Sequence, residues 1–157
     1  MSTDTASTTS PTPAASLPNY TPPSPNSICF TTIPVHSLPR AQTFYTTVFA
    51  WTFRPTLPPS STTTTSPLPT LAVFHTAGDV MGALSVVAED VKIGEDDSSK
   101  GMVNYILVDD VDATLMRVEE AGGTVEREKW VEGGHTELGL WRDTEGNLGG
   151  VLRWVMR

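Results

Sequence analysis

Residues 105–123 read YILVDDVDATLMRVEEAGG, and this stretch decides the fold. Tyr105 to Val108 is short, apolar and partly β-branched, which suits a buried strand. Asp110 follows where a helix begins, and its carboxylate can accept hydrogen bonds from first-turn N–H groups. Asp112 lies in the first turn, where the helix dipole favours an anion. Val111, Leu115 and Val118 recur at i, i+4 and i+7 and give the helix one apolar face. Gly122-Gly123 ends it, because glycine takes the left-handed conformation at little cost. The spacing therefore predicts a strand running directly into a helix over Val111–Ala121.

An earlier stretch repeats the plan. Ile33 to Val35 ends a strand, Ser37 stands at the N-cap position, and LPRAQTFYTTVFA (Leu38–Ala50) reads as a helix with Pro39 tolerated in its first turn. Setting Val35 on Val108 places Leu38 on Val111 and Tyr45 on Val118. Both halves then end alike, TAGDVMGAL from Thr76 and TEGNLGGVL from Thr144, which sets Gly78 on Gly146, Gly82 on Gly150 and Leu84 on Leu152. Two weakly similar copies of strand–helix–strand–strand–strand follow. The first is a little longer, and the proline- and hydroxyl-rich run PTLPPSSTTTTSPLPT (residues 55–70) accounts for the excess as a mobile loop.

The remaining elements follow in order. Ser27–His36 is the first strand, with Cys29, Thr31, Ile33 and Val35 on one face and Phe30, Thr32 and Pro34 on the other. Trp51–Pro55 is the second. LAVFHT and VMGALSVV form a hairpin around Ala77-Gly78-Asp79. Residues 89–100 are a charged linker between module one (about 27–88) and module two (about 101–157). Strands Met102–Val108, Thr124–Lys129, His135–Trp141 and Leu148–Val155 complete the second copy, with a turn at residues 143–147.

Composition narrows the function. The 157 residues allow one domain with a modest core. The net charge is −8 and the pI about 4.7. With no basic stripe, a nucleic-acid partner is not expected. No apolar run approaches the ~20 residues of a membrane span. The single cysteine, Cys29, excludes an internal disulfide and reads as a small buried hydrophobe in a reducing, cytosolic-type compartment. Residues 1–26 are Ser, Thr and Pro with one charge, Asp4, and read as a disordered tail rather than a secretory or transit signal.

At this point the chain from Cys29 to Trp154 resembles the vicinal-oxygen-chelate superfamily of glyoxalase I, bleomycin-resistance proteins and extradiol dioxygenases. The matching strings are IPV from Ile33, RAQTFYTTVFAWTF from Arg40, YILVDDVDA from Tyr105, VEEAGGTV from Val118 and DTEGN from Asp143. The resemblance implies an α+β fold of two tandem βαβββ modules, whose curved mixed sheets enclose a cleft with the helices outside. It leaves a homodimer open. In metal-using relatives one divalent ion is held from the first and last strands of each module. Carried over, those positions fall on Phe30, near Gly82, on Val103 and on Gly150, none of which can coordinate a metal. Neither a metal nor another cofactor is expected, and the metal-dependent glyoxalase I and dioxygenase reactions are disfavoured.

If Ile33, Val35, Ile106 and Val108 face the helices, the opposite faces line the cleft. The candidate ligand-binding residues are then Phe30, Thr32, Gly82, Val103, Tyr105, Leu107, Gly150, Leu152 and Trp154. The competing expectation is that Phe30, Tyr105 and Trp154 collapse into a filled core. His36 and His75 fall at a strand end and a hairpin. His135 and Glu137 share a strand face, and if Leu138 and Leu140 face the helices this pair points into the cleft as a candidate acid and base. The expected function is a metal-independent small-molecule-binding protein of the glyoxalase/bleomycin-resistance type. The alternatives are an enzyme, using His135/Glu137 or a differently placed metal site, and an interaction module acting through its tail.

Overall fold

Helix α2 spans Val111–Glu120 and matches the pattern that predicted it. Val111, Thr114, Leu115 and Val118 are buried, and the Asp110 carboxylate accepts from the Ala113 N–H at 2.9 Å. Helix α1, Leu38–Phe49, is capped differently. Ser37 makes no side-chain cap bond. Instead Glu145, from the other half of the chain, accepts from the N–H groups of His36 (2.7 Å) and Ser37 (3.3 Å).

The computed structural model describes residues 25–26, 28–54, 71–78, 80–94 and 102–155. The expected 55–70 loop, nearly all of the tail and the later part of the linker lie outside the described residues. Strands β1 (Phe30–Val35), β2 (Thr52–Phe53), β3 (Leu71–His75) and β4 (Met81–Val86) form one sheet in the order β1-β4-β3-β2. Strands β5 (Tyr105–Leu107), β6 (Thr124–Glu132), β7 (Thr136–Arg142) and β8 (Leu148–Trp154) form the other in the order β5-β8-β7-β6. In each sheet the first strand runs parallel to the last and the other pairings are antiparallel. The fold is thus α+β, two tandem βαβββ modules.

The register corrects the internal alignment by one residue. Phe74 lies opposite Gly82 in module one, and Trp141 opposite Gly149 in module two. Gly82 therefore corresponds to Gly149, not to Gly150, and Leu84 corresponds to Val151. Both glycines make room for a large ring on the helix side. A Cβ on Gly82 would lie 2.9 Å from Phe74 Cε1, and one on Gly149 would lie 2.7 Å from Trp141 Cε2. Phe74 and Trp141 are fully or almost fully buried.

One hydrophobic core serves both modules. Val35, Leu38, Ala41, Phe44, Tyr45, Phe74 and Leu84 join Val111, Leu115, Val118, Trp141 and Val151 in a single cluster. Aromatic contacts tie the halves together: Trp141 lies 5.6 Å from Phe44 and 5.1 Å from Phe49, while Trp51 stacks on Tyr45 at 4.7 Å and on Phe74 at 4.3 Å. Each such pair adds roughly 0.5–1.5 kcal/mol to simple burial. The faces of the sheets away from the helices stay open. Phe30 (48 %), Tyr105 (41 %), Leu107 (65 %) and Trp154 (58 %) are all exposed, so the filled-core expectation does not hold. Cys29 is also exposed, contrary to the expectation of burial, because β1 starts only at Phe30. Among the described residues no helix is long and apolar enough to cross a membrane.

Candidate functional site

Where the edge strands β1 and β5 approach each other, a cavity of about 1470 Å³ opens along the seam between the modules. Thr31, Thr32 and Pro34 line it from β1, and Asn104, Tyr105, Ile106 and Leu107 from the β5 side. The end of α1 and the chain just after it contribute Tyr45, Val48 and Trp51, and module two adds Trp141 and Gly149. A space largely walled by apolar and aromatic groups, with a few polar ones at its edge, suits an organic ligand. A side-chain bond joins the two edge strands directly, from Asn104 Nδ2 to Thr31 Oγ1 at 3.2 Å.

Of the residues expected at a ligand site, Thr32, Tyr105 and Leu107 line this cavity. Phe30, Gly150, Leu152 and Trp154 are not among its lining. They lie on the open sheet faces, with Gly150 beneath the Tyr105 ring, whose Cγ would be 2.9 Å from an added Cβ. Val103 is half-buried just ahead of β5. Gly82 faces the helix side, under Phe74, and so cannot keep a cleft open on the other side.

The proposed acid–base pair is not brought together. In β7, Gly139 and Trp141 face helix α2 and the core, while Leu138 and Leu140 pair with Leu152 and Gly150 on the open face. The reason is space. A Cβ on Gly139 would sit 3.0 Å from Leu115 and 3.1 Å from Val111, so the helix takes the glycine face and the leucines turn away. Glu137 goes with Gly139 and pairs with Arg153 at 3.5 Å. His135 sits exposed in the turn before β7, its Nδ1 2.7 Å from Thr136 Oγ1 and its ring 6.4 Å from that of Trp154. The glycine within a strand, a mark of close approach by another element, was the signal for the true facing.

Sequence reasoning missed a buried polar cluster that joins the modules beside the cavity. In the turn between β7 and β8, Asp143 accepts from the Tyr45 hydroxyl (2.9 Å), Asn147 Nδ2 (2.9 Å) and the N–H groups of Glu145 (2.9 Å) and Asn147 (2.8 Å). Asn147 Nδ2 also donates to the Pro34 carbonyl of β1 at 2.9 Å. Arg40 Nε donates to Glu145 Oε1 at 2.6 Å, and the Glu145 side chain is fully buried. Burial pushes the Asp143 carboxyl above its usual range, against the pull of its donors. Burial also acts to raise the Glu145 carboxyl, but Arg40 and the two backbone N–H groups outweigh it and hold the group below the ordinary value. Tyr45 is pushed well above the ordinary phenol value, first by burial and then by the Asp143 charge. The sequence showed these residues only as a turn motif and a helix face.

At the positions carried over from the family's metal sites, Phe30, Gly82, Val103 and Gly150, and at Ala83 and Gly149 in the corrected register, the side chains carry no donor group, and the Cys29 thiol beside Phe30 is a single ligand. Among the described residues no three His, Cys, Asp or Glu side chains are grouped to hold a metal ion.

The chain was compared with known proteins. No curated protein matches it. Solved structures that share the fold include a glyoxalase/bleomycin resistance protein/dioxygenase family enzyme from Burkholderia phytofirmans PsJN, with 16% identity over 82% of this chain and 98% of that one (TM-score 0.61). TioX from Micromonospora sp. ML1 is 20% identical over 82% and 98% (TM-score 0.58). The fosfomycin resistance protein FosX from Listeria monocytogenes is 13% identical over 80% and 89% (TM-score 0.58). A family model matches residues 27–149, most of the chain. Together with the paired βαβββ modules, that match places the protein in the Glyoxalase/Bleomycin resistance protein/Dioxygenase superfamily.

Proposed function

We propose that the protein binds a small organic molecule in the seam cavity without a metal, in the manner of a binding protein of the glyoxalase/bleomycin-resistance type. The observation that carries this reading is a cavity built jointly by both modules, with Thr32, Tyr105 and Leu107 at its rim and aromatic rings behind. Apolar contact supplies the affinity, roughly 25 cal/mol for each Å² of apolar surface removed from water. Thr32 and the Tyr105 hydroxyl fix orientation. The lack of donor side chains at the family's metal positions supports metal independence. An exposed Cys29 thiol fits a reducing, cytosolic-type compartment. The exposed Phe30 and Trp154 side chains give a second copy of the chain apolar surface to bury, in keeping with a homodimer.

Protein purified without chelator is expected to carry no stoichiometric divalent metal by elemental analysis. It should bind anilinonaphthalenesulfonate, an apolar fluorescent probe, and Leu107→Asp should weaken that binding roughly tenfold while leaving the thermal melt intact, because Leu107 is exposed. A bound metal whose removal unfolds the protein, or dye binding indifferent to Leu107, would sink the reading.

A further inference from the structure

The aromatic back of the cavity narrows the class of ligand. Trp51 follows helix α1 and lies between two rings. It stacks on Tyr45 at 4.7 Å, with 8° between the planes, and on Phe74 at 4.3 Å, with 15°. Tyr45 and Phe74 make no ring contact with each other, so they cover opposite faces of the indole. Trp51 nevertheless keeps 8 % exposure and lines the cavity. With both faces covered, the edge of the ring is what stays open, and Nε1 lies on that edge. Among the described residues the Trp51 Nε1–H has no acceptor, yet it is not sealed from solvent as the unpaired Nε1–H of Trp141 is. A buried indole N–H normally finds a partner. Other donors along the wall are already engaged. The Tyr45 hydroxyl donates to Asp143, the Asn147 amide to Asp143 and the Pro34 carbonyl, and the Arg142 guanidinium to Glu126 and the Gly94 and Gly146 carbonyls.

We propose that the cavity takes a neutral, largely apolar molecule that carries a hydrogen-bond acceptor on its rim, a carbonyl oxygen or a ring nitrogen, and that the Trp51 Nε1–H donates to it. This rests on the seam cavity being the binding site. The edge of an aromatic ring is its electropositive part, so the Trp51 rim favours an electron-rich atom even apart from the N–H. Charge selects neither sign, because Asp109 and Asp110 line the cavity together with Arg117 and Arg142. A ligand without the acceptor would cover the N–H and leave it unpaired, which turns a buried donor into a means of discrimination.

The test uses the full chain and two probes of one shape, fluorenone and fluorene, which differ by a carbonyl oxygen, with binding measured by equilibrium dialysis. Fluorenone should bind roughly tenfold more tightly than fluorene. Fluorene carboxylate and aminofluorene, one charge of each sign, should bind more weakly than fluorenone. Trp51→Phe keeps a ring in the stack and removes the N–H, so it should bring fluorenone down to the level of fluorene. If that variant does not fold, the wild-type chain decides through its four indole N–H resonances. The Trp51 signal, assigned through its contacts with the Tyr45 and Phe74 rings, should move downfield with fluorenone and not with fluorene. Equal binding of the two probes, or a preference that survives Trp51→Phe, overturns the role of the N–H. Tighter binding of either charged probe overturns the neutral class. Binding of anilinonaphthalenesulfonate without fluorenone or fluorene overturns this inference and leaves the small-molecule reading standing, whereas binding of none of them overturns both.

Discussion

Asp143→Ala is expected to cost about 3–5 kcal/mol of folding stability, because it strips the acceptor from several buried donors at once. Four donors converge on this carboxylate, and Asp143 is 5 % exposed. Alanine would leave the Tyr45 hydroxyl and the amide groups of Asn147 and Glu145 buried without an acceptor, each at roughly 1–3 kcal/mol when unrelieved by water. The damage should spread to the seam, because Asn147 ties the same turn to Pro34 of β1. Urea unfolding gives the stability change, and dye binding reports the seam. A loss below about 1 kcal/mol would mean that the turn does not fasten the modules together.

The same cluster sets a pH dependence with opposed signs. Glu145 titrates below its ordinary value of 4.5 in the fold, so its contribution is present above pH 4.5 and is lost as the pH falls through the folded value. Asp143 titrates above its ordinary 3.8, so its contribution is fully present below 3.8 and is lost as the pH rises through the folded value. The two partly cancel on acidification. At the alkaline end no other group of the cluster opposes Tyr45. Its stabilisation is complete below pH 10.0 and is lost as the pH rises through the folded value, while the unfolded phenol ionises near 10.0. Wild-type stability should therefore fall above pH 10.0. Tyr45→Phe should flatten that fall, while costing about 1–2 kcal/mol at neutral pH for the lost bond to Asp143. Unfolding curves at several alkaline pH values check it.

Where the determinants are local, the sequence was readable. Helix α2 carries its own cap and its own apolar stripe within ten residues, and both appear as expected. Helix α1 has the stripe but takes its cap from Glu145, which no local pattern could reveal. Thr32, Tyr105 and Leu107 were legible because strand alternation alone places them. The aromatic back of the cavity was not, because Tyr45 and Trp51 read equally well as packing residues and their partner Trp141 comes from the other module. The facing of β7 depended on which side α2 presses. Leu138 and Leu140 argued for one side and Gly139 for the other, and close approach prevailed over apolar area. The internal alignment slipped because the doublet Gly149-Gly150 offers Gly82 two equally good matches. Only the ring lying over each glycine distinguishes them.

That distinction has a large expected effect. Gly82→Ala and Gly149→Ala should each destabilise strongly, at the upper end of the roughly 1–3 kcal/mol usual for overpacking or beyond it. At Gly82 the new methyl would meet Phe74 and, 2.5 Å away, the backbone oxygen of Thr31, and neither can retreat, since Phe74 is wholly buried and Thr31 is held in β1. At Gly149 it would meet the Trp141 indole, 2 % exposed and wedged against Phe44 and Phe49. At Gly150 the three nearest atoms to an added Cβ all belong to the Tyr105 ring, which is 41 % exposed and has solvent to turn into. None of the three glycines has the positive φ that would penalise a side chain in itself, so the comparison reads packing alone. Thermal or urea unfolding of the three variants should rank Gly82→Ala and Gly149→Ala as severe and Gly150→Ala as mild. If Tyr105 turns outward, Gly150→Ala should also change dye binding at the seam, because that ring lines the cavity. Equal losses at Gly149 and Gly150 would mean that Tyr105 is held as firmly as Trp141, and the open face of module two would then be a fixed surface rather than one that adjusts to a ligand.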